Sequence, residues 1–180
     1  MGTPISAHLL ARHTRRRPNS MAVQGAWSLG PARLVGPVIQ TVELVCRTAF
    51  SFHEGTSTPE EVVEQAAALG LSAVAITDRD GVYGLPRAHK AAKAFGIRII
   101  PGALLTLVDG PGVALLARDM GGWSQLTRLI TEARSNTQKG WGRIPLPSLL
   151  SRSDGLEAVL LGDWDVERAI QMRDAFGEHV

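Results

Sequence analysis

The residues best placed to do chemistry lie in ITDRDGVYG, Ile76 to Gly84. An apolar run enters this stretch, and Asp78, Arg79 and Asp80 stand at its end. Carboxylates at the C-terminal end of a strand in a β/α protein are a common setting for metal binding or acid/base work. An arginine between them is out of character, because a metal site would take another neutral or anionic ligand there.

Other candidates are weaker on their own residues. His53 follows FSF in a stretch that reads as a loop, and His89 shares a helical stretch with Lys90 and Lys93, a pattern typical of a solvated face. Asp163 and Asp165 form a second acidic pair after an apolar run, but Asp165 also suits a helix N-cap. GPG at 110–112 is a turn signal and lacks the Gly-x-x-x-x-Gly-Lys of a phosphate loop. Cys46 has no base nearby in sequence, so a nucleophilic role is not expected.

The elements that must position these groups alternate between strand and helix. TVELVC (41–46) reads as a short buried strand. Thr58, Pro59 and Glu61 then form the signature of a capping box with proline at the first helical position. Val62, Val63, Ala66, Ala67 and Leu69 give that helix an apolar face ending at Gly70. Strand 71–77 delivers Asp78, a helix from Leu85 closes at Gly96, and strand 97–108 bends at Pro101-Gly102. The turn at 109–112 is short enough to set strand 113–118 antiparallel to the preceding one. A helix over 122–135, a short helix over 145–152, a strand over 156–162 and a helix over 165–177 complete the pattern. Such alternation predicts an α/β architecture with a mainly parallel sheet or barrel. A helix normally leads on to another strand, so the barrel is expected to be incomplete at its C-terminus.

Composition bounds the setting. The chain has 180 residues, 44% hydrophobic and 20% charged, as in an ordinary globular domain. One cysteine excludes an internal disulfide, and no long uncharged apolar run occurs; a reducing, cytoplasmic setting without a membrane partner is expected. The net charge of +2 is uneven, with five arginines and no acidic residue before Glu43. Residues 1–40 therefore read as a basic, flexible extension, with residues 41–180 as the folded domain. A nucleic-acid-binding arm and a transit peptide are the competing readings of RHTRRRP and its surroundings.

VELVCRTAFSFHEGTSTPEEVVEQAAALGLSAVAITDRDGVYG, AHKAAKAFGIRIIPGALLTL, VALLARD and GWSQLTRLITEAR together resemble the N-terminal PHP (polymerase and histidinol phosphatase) domain of bacterial C-family DNA polymerases. The likeness is strongest to the error-prone DNA polymerase III alpha-subunit type and spans about Thr41 to Gly162. It implies a distorted β/α barrel, seven-stranded in the family, whose strand ends hold two or three metal ions for phosphoester hydrolysis. On this resemblance Val45 and Arg47 occupy the places of a His-x-His pair, and Arg79 the histidine after Asp78. Leu104 stands for a glutamate, and no histidine occurs around Gly112 and Val113.

Asp78 is thus the one surviving ligand-type residue among these positions, and a degenerate centre without metal or other cofactor is expected. Arg47, Arg79 or both are expected to neutralise Asp78 as an internal ion pair. The implied role is a structural or interaction module in DNA replication and repair, including translesion synthesis. Its partner would be a polymerase body or another replication or repair protein, and the chain would not polymerise by itself. The alternatives are an active metal-dependent phosphoesterase or 3′–5′ exonuclease, and a nucleic-acid-binding module using weak contacts of the N-terminal arginines.

Overall fold

The computed structural model describes residues 41–135, 137–138 and 141–180. The expected basic extension over 1–40 lies outside the described residues.

Among the described residues, five strands and five helices follow in the order β1 (Val42–Cys46), α1 (Pro59–Ala68), β2 (Ala73–Ile76), α2 (Leu85–Phe95), β3 (Arg98–Leu105), β4 (Val113–Ala117), α3 (Met120–Ser135), α4 (Leu146–Leu150), β5 (Leu156–Leu160) and α5 (Val166–Phe176). They build one sheet in the order β1-β2-β3-β4-β5. β1, β2 and β3 pair in parallel, whereas β4 is antiparallel to both β3 and β5. The expected mainly parallel sheet is therefore mixed: β4 alone is reversed. The β3–β4 hairpin was legible in the short DGPG connection; the long path from β4 to β5 carried no such directional signal.

β3 shows how the sheet curls. Its first half, to Pro101, pairs with β2, and its second half, from Gly102, pairs with β4. A Cβ at position 102 would stand 2.7 Å from the Leu115 carbonyl oxygen and 3.0 Å from Thr77 Cγ2. Only glycine lets the backbones approach this closely. The result is a curled, incomplete barrel rather than a flat sheet.

Helices cover the sheet and build two apolar clusters. Val63 and Ala66 of α1 and Ala88 and Ala92 of α2 meet Val74 and Ile76 of β2. Leu126 and Leu129 of α3, Leu149 of α4, and Met172 and Phe176 of α5 meet Leu105, Leu115 and Leu156. Each fully buried leucine or isoleucine stabilises the fold by roughly 1.5–3 kcal/mol. The capping box at α1 is formed: the Thr58 hydroxyl accepts from the Glu61 amide at 3.3 Å, and the Glu61 carboxylate accepts from the Thr58 amide at 2.7 Å. Among the described residues no helix is long and apolar enough to cross a membrane.

Candidate functional site

Because β1, β2, β3 and β5 run in the same sense, their C-terminal ends share one edge of the sheet with the start of β4. Arg47 follows β1, and Asp78, Arg79 and Asp80 follow β2. The latter three stay on the ladder, since Leu104 donates to the Asp78 carbonyl at 3.1 Å and Asp80 donates to the Leu104 carbonyl at 2.8 Å. The sheet thus fixes their backbone, and the loop after β1 folds across them.

Asp78 is fully buried. Its Oδ1 accepts from the Thr48 amide at 2.7 Å and from the Ser51 hydroxyl at 2.8 Å. The Thr48 hydroxyl lies 2.9 Å from each carboxylate oxygen. Ser51 Oγ in turn accepts from the Arg79 amide at 2.9 Å. Gly84 packs so closely that a Cβ there would collide with Asp78 Oδ2 and approach Thr48 Oγ1 to 2.8 Å. A carboxylate buried in this way is held by hydrogen bonds from short neutral donors.

Asp80, two residues on, is a different case. Its backbone is left-handed, φ 49°, which aspartate tolerates better than most residues. Oδ1 accepts from the Thr106 amide at 2.9 Å and Oδ2 from the Thr106 hydroxyl at 3.0 Å. Arg134 of α3 grips the Asp80 carbonyl through Nε at 2.9 Å and Nη2 at 2.7 Å. Burial pushes the Asp80 carboxyl above its ordinary pKa, against the opposing pull of the Thr106 bonds and of Arg79 and Arg134.

The two arginines expected beside Asp78 make their salt bridges to other carboxylates. Both arginines close instead on Glu54: Arg47 Nη1 lies 2.8 Å from Oε2, and Arg79 Nη1 lies 2.6 Å from Oε1. Arg79 Nε also lies 3.6 Å from Asp80 Oδ2. The reason is desolvation: Asp78 is satisfied by neutral donors in the interior, while the guanidiniums keep their hydration at the rim beside a loop carboxylate. Thr48, Ser51 and Glu54 were missed in the sequence. The Thr and Ser of RTAFSFHEG were the available signal, but their reach to Asp78 depends on the loop's path.

The donor set does not suit a metal cluster. Val45 has no lone pair to offer, Arg47 and Arg79 carry positive charge, and Asp78 is engaged by hydroxyls and an amide. Leu104 is buried, and a Cβ added at Gly112 would stand 3.1 Å from its Cδ1, so an aliphatic side chain fills the space beside the start of β4. Among the described residues no group of three or more His, Cys, Asp or Glu could hold a metal ion.

His89 is exposed on α2, and Asp165 caps α5 by accepting from the Arg168 amide at 2.9 Å. The Cys46 thiol is pushed to a higher pKa chiefly by burial, then by Glu43 and Asp78, which keeps it protonated and poorly nucleophilic. His53, also left-handed at φ 65°, joins Phe52, Arg79, Asp80, Tyr83 and Arg134 around a cleft of about 540 Å³ on the same edge.

A family model described as "PHP domain" matches residues 43–170. The chain is 39% identical over 151 residues to an error-prone DNA polymerase of Anaeromyxobacter sp. (strain K), covering 75% of this chain and 13% of that protein. Proteins of the same description from Pseudomonas aeruginosa and Mycobacterium tuberculosis are 37% identical over 139 residues and 36% over 150 residues, each covering 77% of this chain and 14% of the relative. The chain therefore spans a small part of the length of the curated relatives it matches. Among solved structures, a two-domain protein from Bacteroides vulgatus containing a predicted PHP-like metal-dependent phosphoesterase superposes with a TM-score of 0.52. That match is 14% identical and covers 75% of this chain and 41% of the other, a likeness of fold alone.

Proposed function

The chain belongs to the PHP domain family, and from that premise we propose that it is a non-catalytic PHP module of the error-prone DNA polymerase type, serving as a structural or interaction domain in DNA replication and repair. One observation carries this reading: the strand-end centre has reversed its charge pattern. A metal centre surrounds cations with anionic and neutral ligands. Here a carboxylate, Glu54, sits between two guanidiniums, and Asp78 is closed off by Thr48 and Ser51. A second strand-end carboxylate, Asp80, is engaged by Thr106.

No step of phosphoester hydrolysis can be assigned to these groups. Hydrolysis requires an activated water and compensation for charge developing on the phosphoryl oxygens. The strand-end carboxylates are committed to protein donors, and the proposed role is therefore one of contact. A polymerase body, or another replication or repair protein, is the proposed partner, in keeping with the much greater length of the error-prone DNA polymerases.

The test is metal analysis of the purified chain after incubation with Mn²⁺ or Zn²⁺, with assays for phosphomonoesterase and 3′–5′ exonuclease turnover. Substoichiometric metal and no turnover above a no-protein control are expected. One or more tightly bound ions per chain together with metal-dependent turnover would overturn the reading.

A further inference from the structure

We propose that the groove between the start of α5 and the turn joining β3 to β4 is a docking site for a basic segment of a partner protein, one that sets a lysine or arginine beside an aliphatic side chain. The inference rests on the reading of the chain as an interaction domain and names the chemistry of the partner. The groove holds about 560 Å³, which suits a short stretch of chain. It lies apart from the arginines that follow β1 and β2, since neither Arg47 nor Arg79 lines it.

Both walls are built before any partner arrives. On one side Val108 donates to the Ile144 carbonyl at 3.1 Å, and Ile144 donates to the Thr106 carbonyl at 3.0 Å. These two bonds hold Pro145, Leu146 and Pro147, at the entry to α4, beside the segment that follows β3. On the other side the first turn of α5 is fixed by its cap, Asp165. Arg168 ties the walls together: its Nε lies 3.3 Å from Asp165 Oδ2, and its Nη1 would stand 2.8 Å from a Cβ at Gly110 in the turn. A groove formed in advance loses little freedom when it is filled.

The lining has an apolar part and an acidic part. Val108, Leu146 and the exposed Pro145 and Pro147 make the apolar floor. Beside Glu167 and Gln171 on α5, Val166 and Ile170 add exposed aliphatic surface one helical turn apart. Apolar surface left open to solvent and rimmed by charge marks an interaction site. Asp109, Asp165 and Glu167 supply the charge. Arg168 answers Asp165, while Asp109 and Glu167 make no salt bridge among the described residues. A cation on the partner complements that surplus of carboxylates. Nucleic-acid phosphates and acidic peptides would be repelled by it. A bare polyamine would satisfy the carboxylates and leave the aliphatic floor without an anchor.

Fluorescence anisotropy of labelled peptides mixed with the full chain tests the proposal. The probes are a peptide alternating arginine and leucine, one with glutamate in place of arginine, and one with serine in place of leucine; spermidine serves as competitor. The arginine–leucine peptide should bind best, and an equal concentration of spermidine should not displace it. Glu167→Lys, on the exposed side of α5, should weaken that binding on the order of tenfold. Asp109→Asn should weaken it about threefold, and it serves alone if the Glu167 variant does not fold. Val108→Ser should erase the preference for leucine over serine. Glu64→Lys, the same charge reversal on the exposed side of α1, should leave binding unchanged. No binding of the arginine–leucine peptide, equal losses for Glu167→Lys and Glu64→Lys, no preference for leucine, displacement by spermidine, or preference for the glutamate peptide would each overturn the proposal. Metal-dependent turnover would instead overturn the non-catalytic reading and leave the peptide binding standing.

Discussion

Asp78 and Asp80 lie two residues apart at the end of one strand, yet the structure treats them in opposite ways. Asp78 is buried under the loop after β1 and takes its hydrogen bonds from Thr48 and Ser51. Asp80 turns away on a left-handed backbone to Thr106 at the end of β3, with Arg79 and Arg134 nearby. The difference shows two ways for protein groups to hold a strand-end carboxylate. One supplies neutral donors until the anion is satisfied in the interior; the other leaves the anion partly desolvated within the field of arginines.

The sharpest way to break this comparison is to remove the better satisfied acid. Asp78→Ala would leave the Thr48 amide and the two hydroxyls without their acceptor in a buried site. Each unsatisfied group costs about 1–3 kcal/mol, so a loss of roughly 3 kcal/mol or more is expected. Urea denaturation followed by circular dichroism reads it directly. Asp78→Asn retains one carbonyl oxygen and should lose less. A loss under about 1 kcal/mol for the alanine variant would mean that water replaces the acceptor and that the site is not sealed.

Asp80 sharpens the comparison through pH. Its carboxyl is raised above its ordinary value of 3.8, mainly by burial. A carboxyl with a raised folded-state pKa binds its proton more tightly folded than unfolded. Its contribution is then fully present below the unfolded value and is lost as pH rises through the folded one. Stability attributable to Asp80 should therefore fall from about pH 4 upward, opposite to the usual trend for a paired carboxylate. Asp80→Asn is neutral, tolerates φ 49° and can still accept from the Thr106 amide. The difference in unfolding free energy, variant minus native, should increase as pH rises through this window. A pH-independent difference would show that Thr106 and the arginines offset the burial.

Much of the fold was legible because its signals are local. The capping box at Thr58 and Glu61, the glycine after α2 and the strand-helix alternation each follow from neighbouring residues. The shift of α3 to begin at Met120 rather than Gly122 also has a local cause, since Asp119 accepts from the Gly122 amide at 2.8 Å. The site was legible only as a set of losses: Val45, Arg47, Arg79 and Leu104 are visibly unsuited to metal. Its replacement partners were not legible, because Thr48, Ser51 and Glu54 reach β2 through the path of a loop, and Thr106 and Arg134 reach Asp80 from separate elements. Charge alone placed Arg47, Arg79 or both beside Asp78, whereas their salt bridges run to Glu54 and Asp80. Burial decides otherwise, because a guanidinium is more readily paired at the rim than carried into the interior.

That rim pairing makes the smallest and most condition-dependent prediction. Glu54→Gln removes the negative partner of two guanidiniums whose side chains are 34% and 45% exposed. Solvent screening at such exposure limits the expected destabilisation to about 1 kcal/mol at low salt. It should shrink towards zero in 1 M NaCl, where the screening length is about 3 Å, whereas the loss from Asp78→Ala should persist because its donors are neutral and buried. Urea midpoints of both variants at two salt concentrations make the test. If the two losses respond to salt alike, the division between a sealed interior carboxylate and a screened rim bridge fails. If they diverge, the strand ends consist of two energetically separate sites: a sealed one at Asp78 and a salt-screened one at Glu54.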